Sequence, residues 1–465
     1  MTGHFGDTSA DENPSELLTE RDRLYVDRYT VRERKGKERP GQQTPLGLRL
    51  RRAVEGVNRR FWYRLFNRIF DNQPANDRIP IEELRSIFIL PIGDAVGDMV
   101  VALPLYHAIK RRNPQCRVGT IVSSRNKTLL RCDSAVDRAY MFRNKDDIRH
   151  YPELLRARRD GYDVVISMRM NHMTEFGIIC NIVSPGAIKV CTSHARKDMY
   201  QVLFNKLLPL DRYAIHLSQL GLAMLESVID FGTPIEQWES RPTIAVPDTV
   251  RENIDLRIDS ELKRLGADWF IHFNPQARNP MREWGLTNAF QFAERFIQHY
   301  PRGAIFFSAS PVHRAAVEEK IKQLKLDRVA FFPTSYDLLE LAALAERSEL
   351  IVTPDTSAIH FGTASGKPTL TLWPDPNDLP LAWIPLQVPS INLAPQETGM
   401  LVPTIPVDVV WNAARRLLDN EWTSTATSIG FVPEAAPLYQ ASHGSIPLAQ
   451  LIDYSSTNAS IVPFE

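Results

Sequence analysis

Cysteine is scarce in this sequence. The four present, Cys116, Cys132, Cys180 and Cys191, never stand as a C-x-x-C pair. That excludes a disulfide framework and a zinc ribbon, and it predicts a reducing, cytoplasmic setting. Net charge is also missing: 55 Lys and Arg balance 55 Asp and Glu. A general nucleic-acid binder needs a basic surplus, so no nucleic acid is expected as a partner. No apolar run is long enough to span a bilayer and no signal peptide is read at the N-terminus. Composition is otherwise that of a folding chain, 43% hydrophobic and 24% charged over 465 residues, more than one ordinary core accommodates.

The zero balance hides an asymmetry. Between Arg21 and Arg68, Lys and Arg outnumber Asp and Glu 15 to 5. Residues 1–80 read as an extension: a polar, disordered start, a basic tail, then an amphipathic helix over 46–70. In that helix Leu50, Val54, Val57, Phe61, Leu65 and Ile69 recur at three- and four-residue steps. Arg51, Arg52, Arg59, Arg60, Arg64 and Arg68 lie among them. Such a helix either adsorbs to an anionic membrane surface or docks on the protein's own surface, and both readings stand. The expected location is cytoplasmic, peripheral on the inner face of the cytoplasmic membrane in the adsorbed reading.

From Leu84 onward strands alternate with helices, among them a helix over Asp98 to Arg112 and a long helical stretch over Leu207 to Gly232. Residues 81–240 read as one Rossmann-like domain and 241–420 as a second, with the Pro-bearing stretch Glu239 to Pro247 between them. Residues 421–465 read as a loosely ordered tail. The predicted class is α/β, with ligands at the carboxyl ends of parallel strands.

The densest chemistry sits in Ile351 to Leu372, read as strand, turn, helix, turn and strand. Asp355, Thr356, Ser357 and His360 fall in or beside the first helical turn. There unpaired N–H groups and the helix dipole favour an anion. An ordinary capped helix with a satisfied histidine is the plainer alternative. The turn Gly93 to Asp98 ends the first strand of the earlier domain. Gly93 and Gly97 allow close backbone approach, and Asp98 is placed to cap or to act as a base. Gly93-x-x-x-Gly97 is not a dinucleotide fingerprint, so a dehydrogenase is disfavoured. The loop after Asn274 offers Arg278 and Arg282 to a diphosphate, and Ser308 ends the next strand.

Three stretches in this order resemble glycosyltransferase family 9, the ADP-heptose:lipopolysaccharide heptosyltransferases. They are Ile87 to Pro104, with its Gly-Asp turn; His272 to Trp284; and Leu341 to Thr369, containing Asp355-Thr-Ser-Ala-Ile-His360. The resemblance implies a GT-B fold, two Rossmann-like domains facing across a cleft. It implies inverting transfer of a heptose from ADP-heptose to an inner-core sugar of lipopolysaccharide or a related, lipid-linked glycan. Asp98 matches the catalytic base. Asp355, Thr356, Ser357 and His360, with Ser308 and with Arg282 or Arg278 on the phosphates, fall on the donor side. Gly97, Asp94, Arg169 and His172 fall on the acceptor side. No D-x-D motif occurs, so neither metal nor cofactor is expected, and the nucleotide sugar is a substrate.

The sequence also departs from the family. Ser357 stands where glycine is usual, the stretch Ser308 to Arg314 has no carboxylate, and Ser167 to His172 is unlike the family's segment. Two alternatives therefore stay open. One is a related GT-B transferase with another nucleotide-sugar donor or a polysaccharide or protein acceptor. The other is a non-catalytic nucleotide-sugar-binding module acting at the membrane.

Overall fold

The computed structural model describes residues 61–70, 72–142, 148–169, 173–192, 201–208, 215–277, 282–332, 337–374, 382–395, 402–419 and 428–430. Two parallel sheets organise it. A short pair, β1 (Ile79–Pro80) with β8 (Ile229–Asp230), ties the lead-in segment to the first half.

The first sheet holds β2 (Ser86–Leu90), β3 (Arg117–Val122), β4 (Arg138–Met141), β5 (Val164–Ser167), β6 (Ile188–Thr192) and β7 (Lys206–Leu208). Their spatial order is β4-β3-β2-β5-β6-β7. The second holds β9 (Trp269–Phe273), β10 (Gly303–Phe307), β11 (Val329–Phe331), β12 (Ile351–Pro354), β13 (Thr369–Leu372), β14 (Ser390–Leu393) and β15 (Ser428–Gly430). Its order is β11-β10-β9-β12-β13-β14-β15. Both are the doubly wound arrangement, and the order reverses between β2 and β5 and between β9 and β12.

The central strands are apolar on both faces because helices cover both sides. Every residue of β2 is buried, with Ile87 and Ile89 on one side and Phe88 and Leu90 on the other. In β9, Phe270 faces one core while Ile271 and Phe273 face another. One apolar cluster runs through both halves. It contains Ile87, Leu105 and Leu220 of the first, and Phe306, Leu344 and Phe361 of the second. Polar contacts also cross between the halves: Arg131 Nη2 to Asp337 Oδ2 at 3.0 Å, Gln387 Nε2 to Ser240 Oγ at 3.0 Å, and Leu217 N to Ala382 O at 3.2 Å.

Several elements differ from the sequence reading. The helix expected over Asp98 to Arg112 is two, Val96–Val100 and Leu103–Arg112, because Pro104 supplies no N–H to continue the first. Among the described residues, the long helical stretch expected over Leu207 to Gly232 holds the end of β7, a helix at Leu217–Glu226, and β8. The stretch past 421, expected as tail, contributes β15 to the second sheet's edge.

Candidate active site

The first switch point is built around Asp98. Its helix begins at Val96, so Asp98 is the third helical residue rather than the cap. The Ala95 N–H donates to Asp98 Oδ2 at 2.9 Å, which turns the carboxylate back over the turn. Gly93 makes that possible: a Cβ there would lie 2.1 Å from Asp98 Oδ2. The turn is fastened from β3's end, where Ser123 Oγ donates to the Asp94 carbonyl at 2.8 Å. The Asp94 side chain pairs with Arg125 at 3.8 Å. Burial raises the Asp98 carboxyl above its ordinary value, and the Ala95 bond and the Arg169 charge oppose that rise.

Arg169 follows β5, the strand across the switch point, and is only 7% exposed. Its guanidinium stacks 4.2 Å over the Phe176 ring, and its Nε has no hydrogen-bond partner among the described residues. A buried cation therefore stands beside the candidate base.

The second switch point is built around Thr356. Its Oγ1 accepts from the Ala358 N–H at 3.2 Å and so caps the helix Ala358–Ser365. Asn274 Nδ2 donates to the same oxygen at 3.2 Å, and Thr353 Oγ1 lies 2.8 Å away. The ends of β9 and β12 are thereby locked together. Ser357 has φ −61°, an ordinary conformation, so its Cβ fits where the family uses glycine. Asp355 Oδ2 pairs with Arg282 Nη1 at 2.6 Å, leaving the Arg282 side chain 46% exposed. Burial raises the Asp355 carboxyl, and Arg282 opposes that. Ser308 Oγ lies 2.6 Å from His272 Nε2, and burial pushes His272 down to about 4.

His360 joins the two points. A Cβ on Gly97 would lie 2.5 Å from His360 Cδ2, so the histidine ring rests on the Gly97 backbone. Trp383 flanks the ring at 5.6 Å between centroids. His360 is 5% exposed, and burial pushes it down to about 4. Its neutral ring seals the seam between the halves rather than opening toward solvent. His216 lies nearby, pushed down to about 3 by burial and by His360, with Nδ1 accepting from the Ser218 N–H at 3.2 Å.

The structure thus gathers Asp98, Gly97, Asp94 and Arg169 at one switch point, and Asp355, Thr356, Ser357, His360, Arg282 and Ser308 at the other. His172 and Arg278 lie outside the described residues. The sequence reading gave Asn274, His216, Thr353 and Trp383 no role at the site. Thr353 carried a signal, since it is the polar residue in an apolar strand.

The sequence model of glycosyltransferase family 9 (heptosyltransferase) matches residues 156–392, half of the chain. The chain belongs to glycosyltransferase family 9. It is a glycosyltransferase with the GT-B fold. Lipopolysaccharide heptosyltransferase 1 of Campylobacter coli is 20% identical over 287 residues, covering 60% of this chain and 81% of that protein. The family 9 glycosyl transferase from Veillonella parvula superposes with a TM-score of 0.59 at 18% identity, over 72% of this chain and 97% of that one. The ADP-heptose heptosyltransferase II of E. coli superposes with 0.54, also at 18% identity, over 72% and 99%. These superpositions establish the fold. The family match begins at residue 156, so the Asp98 turn lies before it.

Proposed function

We propose that this family 9 glycosyltransferase is an inverting enzyme moving a heptose from ADP-heptose to an inner-core sugar of lipopolysaccharide or a related glycan. The observation that carries the reading is the meeting of Gly97 and His360. It joins the turn bearing Asp98 to the capped helix start at Thr356.

Inversion in one displacement requires a base on the acceptor side and fixed positive charge on the leaving-group side. Asp98 takes the acceptor hydroxyl proton as the oxygen attacks the anomeric carbon. The departing diphosphate is received at the start of Ala358–Ser365, where the helix dipole presents its positive end, and by Arg282. Asp355 orients Arg282 by pairing with one of its nitrogens and leaves its other donors to the phosphates. Arg169 and Asp94 flank the acceptor hydroxyl. A different nucleotide is the second reading. It is favoured by Ser308, whose hydroxyl is engaged by His272 where β10 ends without a carboxylate.

The test is calorimetric titration with ADP, UDP and GDP and their sugar nucleotides, followed by a transfer assay. ADP selectivity, with turnover lowered 10²- to 10⁴-fold in Asp98→Asn while ADP still binds, is the expected result. Selectivity for UDP or GDP would overturn the donor. Unchanged turnover in the variant would overturn the base.

A further inference from the structure

The helix over 61–69 lies outside the family match, and its two sides differ in character. The inner side is built into the first half. Phe66 is buried in the cluster holding Phe88 and Leu90, and Tyr63 and Phe70 pack against it. Directly after the helix, Asn72 Nδ2 donates to Asn181 Oδ1 at 2.9 Å and to the Val202 carbonyl at 2.8 Å. The buried Lys189 donates to Asn72 Oδ1 at 3.0 Å. The helix is therefore a fixed part of the molecule.

The outer side is apolar where a docked helix would ordinarily be polar. Phe61 is 61% exposed, Trp62 41% and Ile69 59%. Arg64 and Arg68 are exposed beside them and have no ion-pair partner among the described residues. An aromatic ladder links outside to inside: Trp62 stacks on Phe66 at 5.4 Å, and Phe66 on Phe70 at 5.5 Å. The sequence leading into the helix continues the pattern, with Leu50, Val54 and Val57 among Arg51, Arg52, Arg59 and Arg60.

We propose that this outer face seats the enzyme on an anionic lipid bilayer surface, with Phe61, Trp62 and Ile69 entering the interface and Arg64 and Arg68 on the headgroups. Charge decides against a second copy of the chain as the occupant, because like faces would set arginine against arginine. Both features of the face suit a negatively charged interface. The docked reading holds for the inner side of the helix, and the proposal gives the adsorbed reading to the outer side.

The experiment is co-sedimentation of the full chain with vesicles of phosphatidylcholine alone and of equimolar phosphatidylcholine and phosphatidylglycerol. Binding should require phosphatidylglycerol and fall in high salt. Arg64→Gln/Arg68→Gln should weaken it roughly 30-fold. Phe61→Ser/Trp62→Ser should weaken it by at least about tenfold. All four positions are exposed, so the folded circular dichroism spectrum should persist. If a variant does not fold, the salt and lipid dependence of the wild type decides. Equal binding to neutral vesicles, or binding untouched by both double variants, would overturn the proposal. So would a dimer that Phe61→Ser/Trp62→Ser dissociates in a chain that ignores vesicles.

Discussion

Asp98 carries a carboxylate in surroundings that resist its charge. Burial raises its titration above the ordinary aspartate value, the Ala95 N–H and Arg169 pull it back, and Asp94 pushes it up again. In the proposed role of base Asp98 acts when ionised, so activity should disappear as pH falls through this raised value, higher than for an exposed aspartate. Removing the Arg169 charge removes a stabiliser of the ionised form. Arg169→Met keeps an apolar contact for Phe176 and should move the acid limb of the kcat/KM profile to higher pH. An unmoved limb would show that the charge does not reach the base. At this scale the sequence was informative about residue types and positions. Asp98, Thr356 and Arg282 were legible because each follows a strand of a doubly wound sheet. What each side chain touches was not. That Arg282 would be held by Asp355, and that His360 would be covered by Gly97, depends on contacts between segments far apart in the chain.

At the scale of elements, two helices start where the two halves touch, Val96–Val100 and Ala358–Ser365. Gly97 on the first accepts the His360 ring of the second with no room for a methyl group. Gly97→Ala should therefore separate the halves, costing about 1–3 kcal/mol in urea unfolding and lowering kcat more than donor affinity. Behind the Arg282 loop, the fully buried Trp284 donates its Nε1–H to the Ile405 carbonyl at 2.9 Å. Trp284→Ala should cost about 3–5 kcal/mol, read by the same measurement. The central strands and most helices of both halves could be read from periodicity. The short edge strands could not: β7 has three residues, and only pairing with β6 makes Lys206–Leu208 a strand. β14 and β15 were missed for the same reason, because their neighbours rather than their own pattern define them.

For the whole molecule, three buried histidines set a pH response. His272 and His360 are pushed down to about 4 and His216 to about 3, against an ordinary value of 6.5. Below 6.5 the unfolded chain takes up protons that the native state refuses, so native stability falls as pH falls. The fall continues until the folded values are reached. At pH 5 each histidine should remove up to about 2 kcal/mol relative to neutral pH. Urea midpoints at pH 7.5 and pH 5 would measure the combined loss, and His216→Asn should reduce it.

The apolar cluster shared by Leu105, Leu220, Phe306 and Phe361 has a thermal corollary. Two sheets of this size, each with its own helices, would ordinarily melt as two units. Here neither half can lose its interior without uncovering part of the other's. Differential scanning calorimetry should give one endotherm whose van't Hoff and calorimetric enthalpies agree. The seam between the two halves would then also be the source of the enzyme's thermal cooperativity.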